Sequence, residues 1–271
     1  NTLQAEIIFP QKVPPQSPDW FPTTFVTSSL FGIHTADPTA PTDMTWVSPD
    51  VANFQVYFVI IGQEEKDGFF MLSSSADGVF PTLTSSVQKD VYENSKWNVA
   101  VRIKPTIYPW ASSSINTSTP TYDVDFIGYN TTLDTIDNEF KVTGSISFLN
   151  GSQFLSAAKR TYIGAHRTNF TGSVLQQSDA KISSVRFWFD YLQDREILSH
   201  AKDPSNFGRL RPGMNTFITE VGKTFGSNIM QIPEIETLAL QWNFDTVTGS
   251  NASGEFDVPD YSSGSLLTAL S

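Results

Sequence analysis

The chain has 271 residues, a formal net charge of -11 and a pI near 4.6, so no basic stripe is available to neutralise nucleic-acid phosphates. Cysteine is absent, which excludes a disulfide framework, thiolate catalysis and cysteine-ligated zinc. With 21 Phe, 8 Tyr and 6 Trp the apolar inventory suits sheets better than helix bundles, and the length allows one large all-β domain, or one such domain and part of another.

No run approaches the ~18 apolar residues of a membrane span. Neither a signal peptide nor an initiator methionine precedes Asn1, and the chain is expected to be a processed piece of something longer. The opening "LQAEIIFPQK" alternates as an edge strand would. The stretch from Pro10 to Pro22 reads as extended loop, because proline cannot donate to a ladder. Strand-length apolar runs then alternate with Gly, Pro, Asn and Asp: "FVTSSLFGIH", "FQVYFVIIG", "GFFMLSSS", "WNVAVRIKP", "YDVDFIGYN", "FKVTGSISFL", "RTYIGAHR" and "ISSVRFWFDY". So many strands with one short helix predict an all-β fold, a two-sheet antiparallel sandwich.

The helix follows the last of these strands. Leu192 and Ile197 stand where a hydrophobic staple places them around a cap at Gln193, and Asp194 and Glu196 occupy the positive first turn. Lys202 falls in the last turn and Pro204 ends the helix. Ile197, Leu198 and Ala201 form an apolar stripe that predicts packing on the sandwich. From there Gly, Asn and Pro recur too closely for long strands, until Leu238 to Phe244 reads as a strand again. The expected organisation is a module over 1–206, a connector over 207–236, and the truncated start of a second, similar module over 237–271.

"VRFWFDYLQDREI" resembles the closing strand and helix of concanavalin A-like lectin/glucanase domains of the laminin-G and pentraxin type, through Arg186, Leu192, Asp194, Glu196 and Ile197. "WNVAVRI" looks like a central strand of that family, with Trp97 and Val101 in place, and "YIGAHR" resembles another, with Gly164 in place. In the tail, Phe244, Asp245, Asp260, Ser262 and Gly264 resemble the first strand of a further such domain, with Ser263 as an insertion. The resemblance implies a concanavalin A-like jelly roll. Loop texture such as "AHRTNFTGSV" also resembles large structural proteins of bacteriophages.

Glucanases of this superfamily carry glutamates spaced E-x-D-x-x-E, placing nucleophile and acid ~5 Å apart; that spacing is absent here. Glu234 and Glu236 share a strand face but lie in the Pro-bounded connector. His34, His166 and His200 are far apart and form no His-x-x-x-His pair, so packing or hydrogen bonding is the expected role of each. Neither a Gly-x-Ser-x-Gly elbow nor a phosphate loop occurs. The family likeness implies calcium as a cofactor, with Asp123 and Asp125 on one face of "YDVDF" and Asp134 and Asp137 in the following turn as candidate ligands; solvated edge carboxylates are the alternative. Sugar stacking needs an exposed aromatic plane, for which Tyr108 and Trp110 in "PTIYPWASSS" and Trp20 in "SPDWFP" are the candidates, while Trp97 and Trp188 should face the core.

The expected function is that of a non-catalytic module of a large virion structural or adhesion protein, at the virion surface or outside the cell. Its partners would be a glycan or host cell surface, or neighbouring subunits, with no nucleic acid and no membrane insertion. A glycan-cleaving enzyme and a secreted bacterial lectin are the alternatives, and a purely architectural role would show as a large apolar interface.

Overall fold

A computed structural model describes residues 1–12, 26–35, 54–62, 66–74, 79–106, 120–167, 174–203, 237–247, 251–252 and 256–262. Alternating apolar residues assemble thirteen strands among the described residues into two large antiparallel sheets and one hairpin. The larger sheet has the order β13 (Leu238–Asn243), β12 (Lys181–Trp188), β1 (Thr2–Ile8), β6 (Lys96–Pro105), β7 (Thr121–Thr132), β8 (Thr135–Ser147). The smaller runs β5 (Leu83–Thr84), β4 (Asp67–Ser73), β3 (Phe54–Ile61), β2 (Thr27–Thr35), β9 (Lys159–Ile163). Strands β10 (Ala165–Arg167) and β11 (Val174–Gln177) form the hairpin. The protein is therefore an all-β sandwich, as its patterning predicts.

Period-two geometry sends Leu3, Ala5 and Ile7 of β1 and Val99, Val101 and Ile103 of β6 toward the smaller sheet, against Phe54, Val56 and Phe58 of β3. The middle of this core is aromatic. Phe70, fully buried, has the rings of Trp97, Phe58 and Phe140 at centroid distances of 4.8, 5.0 and 5.0 Å, within the range where tilted and offset aromatic pairs attract.

Strand β1 is not the edge strand that its sequence suggests. It lies in the interior of the larger sheet, hydrogen-bonded to β12 on one side and β6 on the other. Its alternating polar residues Thr2, Gln4 and Glu6 are nonetheless buried, because the outer face of this sheet is covered as well. The cover is α2 (Asp194–Lys202), capped at Gln193, whose backbone N–H donates to the Glu196 carboxylate. Ile197 and Ala201 pack with Leu192, Trp188, Ala100 and Ile127 into a second apolar cluster, so the staple and the stripe do the work the sequence assigns them. Trp97 lies in the inter-sheet core and Trp188 in the cluster beneath α2.

Polar groups also anchor α2. Arg102, with no exposed surface, pairs with Asp125 at 3.1 Å and Asp194 at 2.7 Å and donates to the Leu192 carbonyl at 2.7 Å. His200 is fully buried, stacks on Trp188 and shares a 2.8 Å hydrogen bond with the Gln4 side chain; burial pushes its pKa down to about 3. Arg186 is buried beside them on β12, in the structural position its sequence context suggests.

The sequence reading misses one helix. The run "FKVTGSISFL" leaves the sheet at Ser147, whose side chain accepts from the Asn150 backbone N–H, and continues as α1 (Phe148–Ser156). Lys159 then donates to the carbonyls of Leu155 and Ala157, closing the end of that helix. In the tail, β13 extends the larger sheet by pairing with β12, Val185 opposite Trp242.

Candidate functional site

With α2 covering part of the outer face of the larger sheet, a second gathering of polar and aromatic side chains lies on the outer face of the smaller sheet. Phe31 and Ile33 of β2 point into the core, so Gly32 and His34 point outward. Strand pairing sets Gln55 and Tyr162 on either side of Gly32, and Arg160 beside His34. Tyr57 follows Gln55 on the same face of β3, with Met71 of β4 opposite it.

A turn brings the last member in. After β9, Gly164 adopts φ +66°, a left-handed conformation that glycine takes without the Cβ penalty. Its N–H donates to the Leu30 carbonyl at 2.8 Å, and its own carbonyl accepts from Ser178 N–H at 2.9 Å. The β10–β11 hairpin is thereby folded back over β2, and Gln176 of β11 donates to the Thr27 carbonyl.

His166 on this hairpin meets His34. The two Nε2 atoms are 3.1 Å apart and the ring centroids 5.2 Å apart. The Nδ1 of His166 lies 3.4 Å from the Tyr57 hydroxyl, and the Tyr162 ring meets the His34 ring edge to face, its centroid 5.2 Å away. Burial, and then the neighbouring His166, push the His34 pKa down to about 4; burial also lowers that of His166 and raises that of Tyr57. Both imidazoles are thus neutral near pH 7.

Gln55 adds an oddity. It is 3 % exposed, yet both its amide oxygen and its amide nitrogen lack a hydrogen-bond partner. The amide lies over Gly32, where a Cβ would come within 2.2 Å of its oxygen, so any larger residue there would have to displace the amide. An unsatisfied buried amide costs about 1–3 kcal/mol, which marks this face as built for something other than stability alone.

No family model matches the chain. Neither a curated protein nor a solved structure matches it either.

The residues singled out from sequence fall elsewhere. Tyr108, Trp110 and Trp20 lie outside the described residues, as do Glu234 and Glu236. Asp123 and Asp125 do share a face of β7, but Asp125 is buried and engaged by Arg102, by the Thr143 hydroxyl at 2.7 Å and by the Tyr191 hydroxyl. Asp123 accepts from Thr106 at 3.3 Å. Asp134 lies in the turn at the other end of β7, roughly 30 Å along the strand at ~3.3 Å per residue, and Asp137 lies just past that turn on β8, where it accepts from Thr132. The fold does not bring the four carboxylates together, and no group of three or more His, Asp or Glu side chains converges among the described residues.

The gathering around His34 and His166 escapes sequence reading because those residues are 132 positions apart. One signal was available: in "FQVYFVIIG" and "RTYIGAHR" the outward positions carry Gln55, Tyr57, Arg160 and Tyr162 where an ordinary solvated face would carry Lys, Glu and Ser.

Proposed function

We propose that this chain is a non-catalytic recognition module of a larger structural or adhesion protein, and that it binds glycan on the outer face of the smaller sheet. The observation that carries the reading is the asymmetry of the sandwich. One outer face is covered in part by α2, while the other sets the half-buried Tyr57, Tyr162, Arg160 and His166 side by side. Aromatic planes with polar side chains beside them are what a sugar ring requires for stacking and for its hydroxyls.

A rigid two-sheet scaffold fits this role, and Trp20, Tyr108 and Trp110 remain the sequence's candidates for further sugar-stacking groups. The acidic, cysteine-free composition and the loop texture support a place on a bacteriophage particle, with a host cell surface or neighbouring subunits as partners. Calcium at the rim is the cofactor that the concanavalin A-like resemblance brings to the proposal.

A glycan array on the full chain, run with and without calcium, tests it. Binding to a defined sugar set that is lost in Tyr57→Ala and Tyr162→Ala is the expected result. Binding that survives both substitutions moves the site to the loops; no binding in either condition refutes the recognition role and favours an architectural one.

A further inference from the structure

The chain contains three histidines, and the fold sets two of them nitrogen to nitrogen. The Nε2 atoms of His34 and His166 are 3.1 Å apart while the ring centroids are 5.2 Å apart, with the planes only 28° from parallel. The two nitrogens are therefore the facing corners of the two rings. They cannot both carry a proton in that position, so one particle is shared between them: a proton or a metal cation.

We propose that His34 and His166 together bind one transition-metal ion of the zinc class, which clips the β10–β11 hairpin to the smaller sheet. Zinc–nitrogen bonds of ~2.0–2.1 Å at tetrahedral angles hold two ligand nitrogens about 3.3–3.4 Å apart. The observed 3.1 Å is within a few tenths of an ångström of that spacing, and only the hairpin side chain has to give. Metal-bound histidines use their second nitrogen to fix tautomer and ring orientation. For His166 that outer partner is the Tyr57 hydroxyl, 3.4 Å from Nδ1. Both rings are neutral at pH 7 because they are buried, which removes the proton as a competitor for the lone pairs.

The donor set decides the class of ion. Imidazole nitrogen suits zinc, copper and nickel, whereas calcium and magnesium require oxygen cages. This site is thus separate in chemistry from any calcium at the loop rim. Two protein ligands leave the ion's remaining positions to water or to another oxygen donor, and the unpartnered Gln55 amide lies over Gly32, two residues before His34 on the same face. The affinity order expected for such a site is copper above zinc and zinc above calcium, the last without measurable binding.

The test is a zinc titration of the full chain, stripped with a chelator and labelled with nitrogen-15 in histidine. Two of the three imidazoles should move to metal-bound Nε2 shifts and saturate together at one zinc per chain. The third, His200, is buried against Trp188 and Gln4 and serves as an internal control that stays in place. Calorimetry should give one site, lost in His166→Ala, and saturating zinc should raise the melting temperature of the parent protein but not of that variant. The proposal is overturned if neither histidine shifts, if His200 shifts with them, or if zinc binding persists undiminished in His166→Ala. Those results would leave a proton-sharing pair that holds the hairpin without metal. Should His166→Ala fail to fold, the shifts of the parent protein decide alone.

Discussion

Replacing Arg102 by leucine is expected to cost about 4 kcal/mol of stability, and the sum can be built from its partners. Leucine retains most of the aliphatic packing, so the loss lies in the groups left behind. Asp194 is 47 % exposed and keeps Lys141 at 2.9 Å, so its share is at most about 1 kcal/mol. Asp125 is 4 % exposed. It would retain the Thr143 and Tyr191 hydroxyls but lose its cation, and breaking a buried pair costs about 3–5 kcal/mol, here toward the lower end because two donors remain. The Leu192 carbonyl, which accepts from Arg102 at 2.7 Å, adds something under about 1 kcal/mol if water reaches it. At roughly 2–4 °C per kcal/mol for a domain of this size, the melting temperature should fall by about 8–16 °C. Urea denaturation of the parent, Arg102→Leu, Asp125→Leu and the double variant measures this directly. The double variant, which strands no buried charge, should recover at least about 2 kcal/mol relative to Arg102→Leu. A loss below about 1 kcal/mol in the single variant, or a double variant no more stable than it, would show that Asp125 is not left as a stranded buried charge when Arg102 is removed.

Two further outcomes follow from burial. His200 has a folded pKa of about 3 against 6.5 for the free side chain; a depressed folded pKa means that its contribution is intact above pH 6.5 and is lost as pH falls from there toward 3. The slope is about 1.4 kcal/mol per pH unit, so unfolding free energies from urea denaturation at pH 7 and pH 5 should differ by about 2 kcal/mol more in the parent than in His200→Gln; equal differences would count against a neutral buried imidazole. Phe70→Ala opens the aromatic centre of the core and should cost about 3–5 kcal/mol, while Phe189→Ala, at a position 66 % exposed, should change stability by less than about 1 kcal/mol; thermal melts that rank the two alike would contradict the placement of the core.

Strand positions were legible because a half-buried strand writes its period into the sequence, and α2 was legible because caps and staples are local. What stayed hidden depends on contacts between distant segments. The alternation of Thr2, Gln4 and Glu6 suggested a solvated edge, but partners nearly 200 positions away cover two of them: Leu192 N–H donates to the Thr2 hydroxyl, and His200 of α2 bonds Gln4. Asp125 looked like a rim carboxylate beside Asp123 until β6 placed Arg102 opposite it. In "SISFLNGSQF" strand and helix signals overlap, and the switch at Ser147 rests on one capping hydroxyl. The His34–His166 pair had no local signature, since its spacing is set by how β9 pairs with β2 and by the turn at Gly164.

The placement of β1 and β13 gives the sandwich a mechanical polarity. A pull arriving through the residues after Asn243 acts on a strand with one full ladder, that with β12, and a single bridge at Trp242–Asp260 on its other edge, and can unzip it pair by pair. A pull arriving at Thr2 meets a strand bonded on both sides and must shear two ladders at once. Tension from the C-terminal side would thus detach β13 at low load and leave the aromatic core closed, so the module yields in steps at one end and holds at the other.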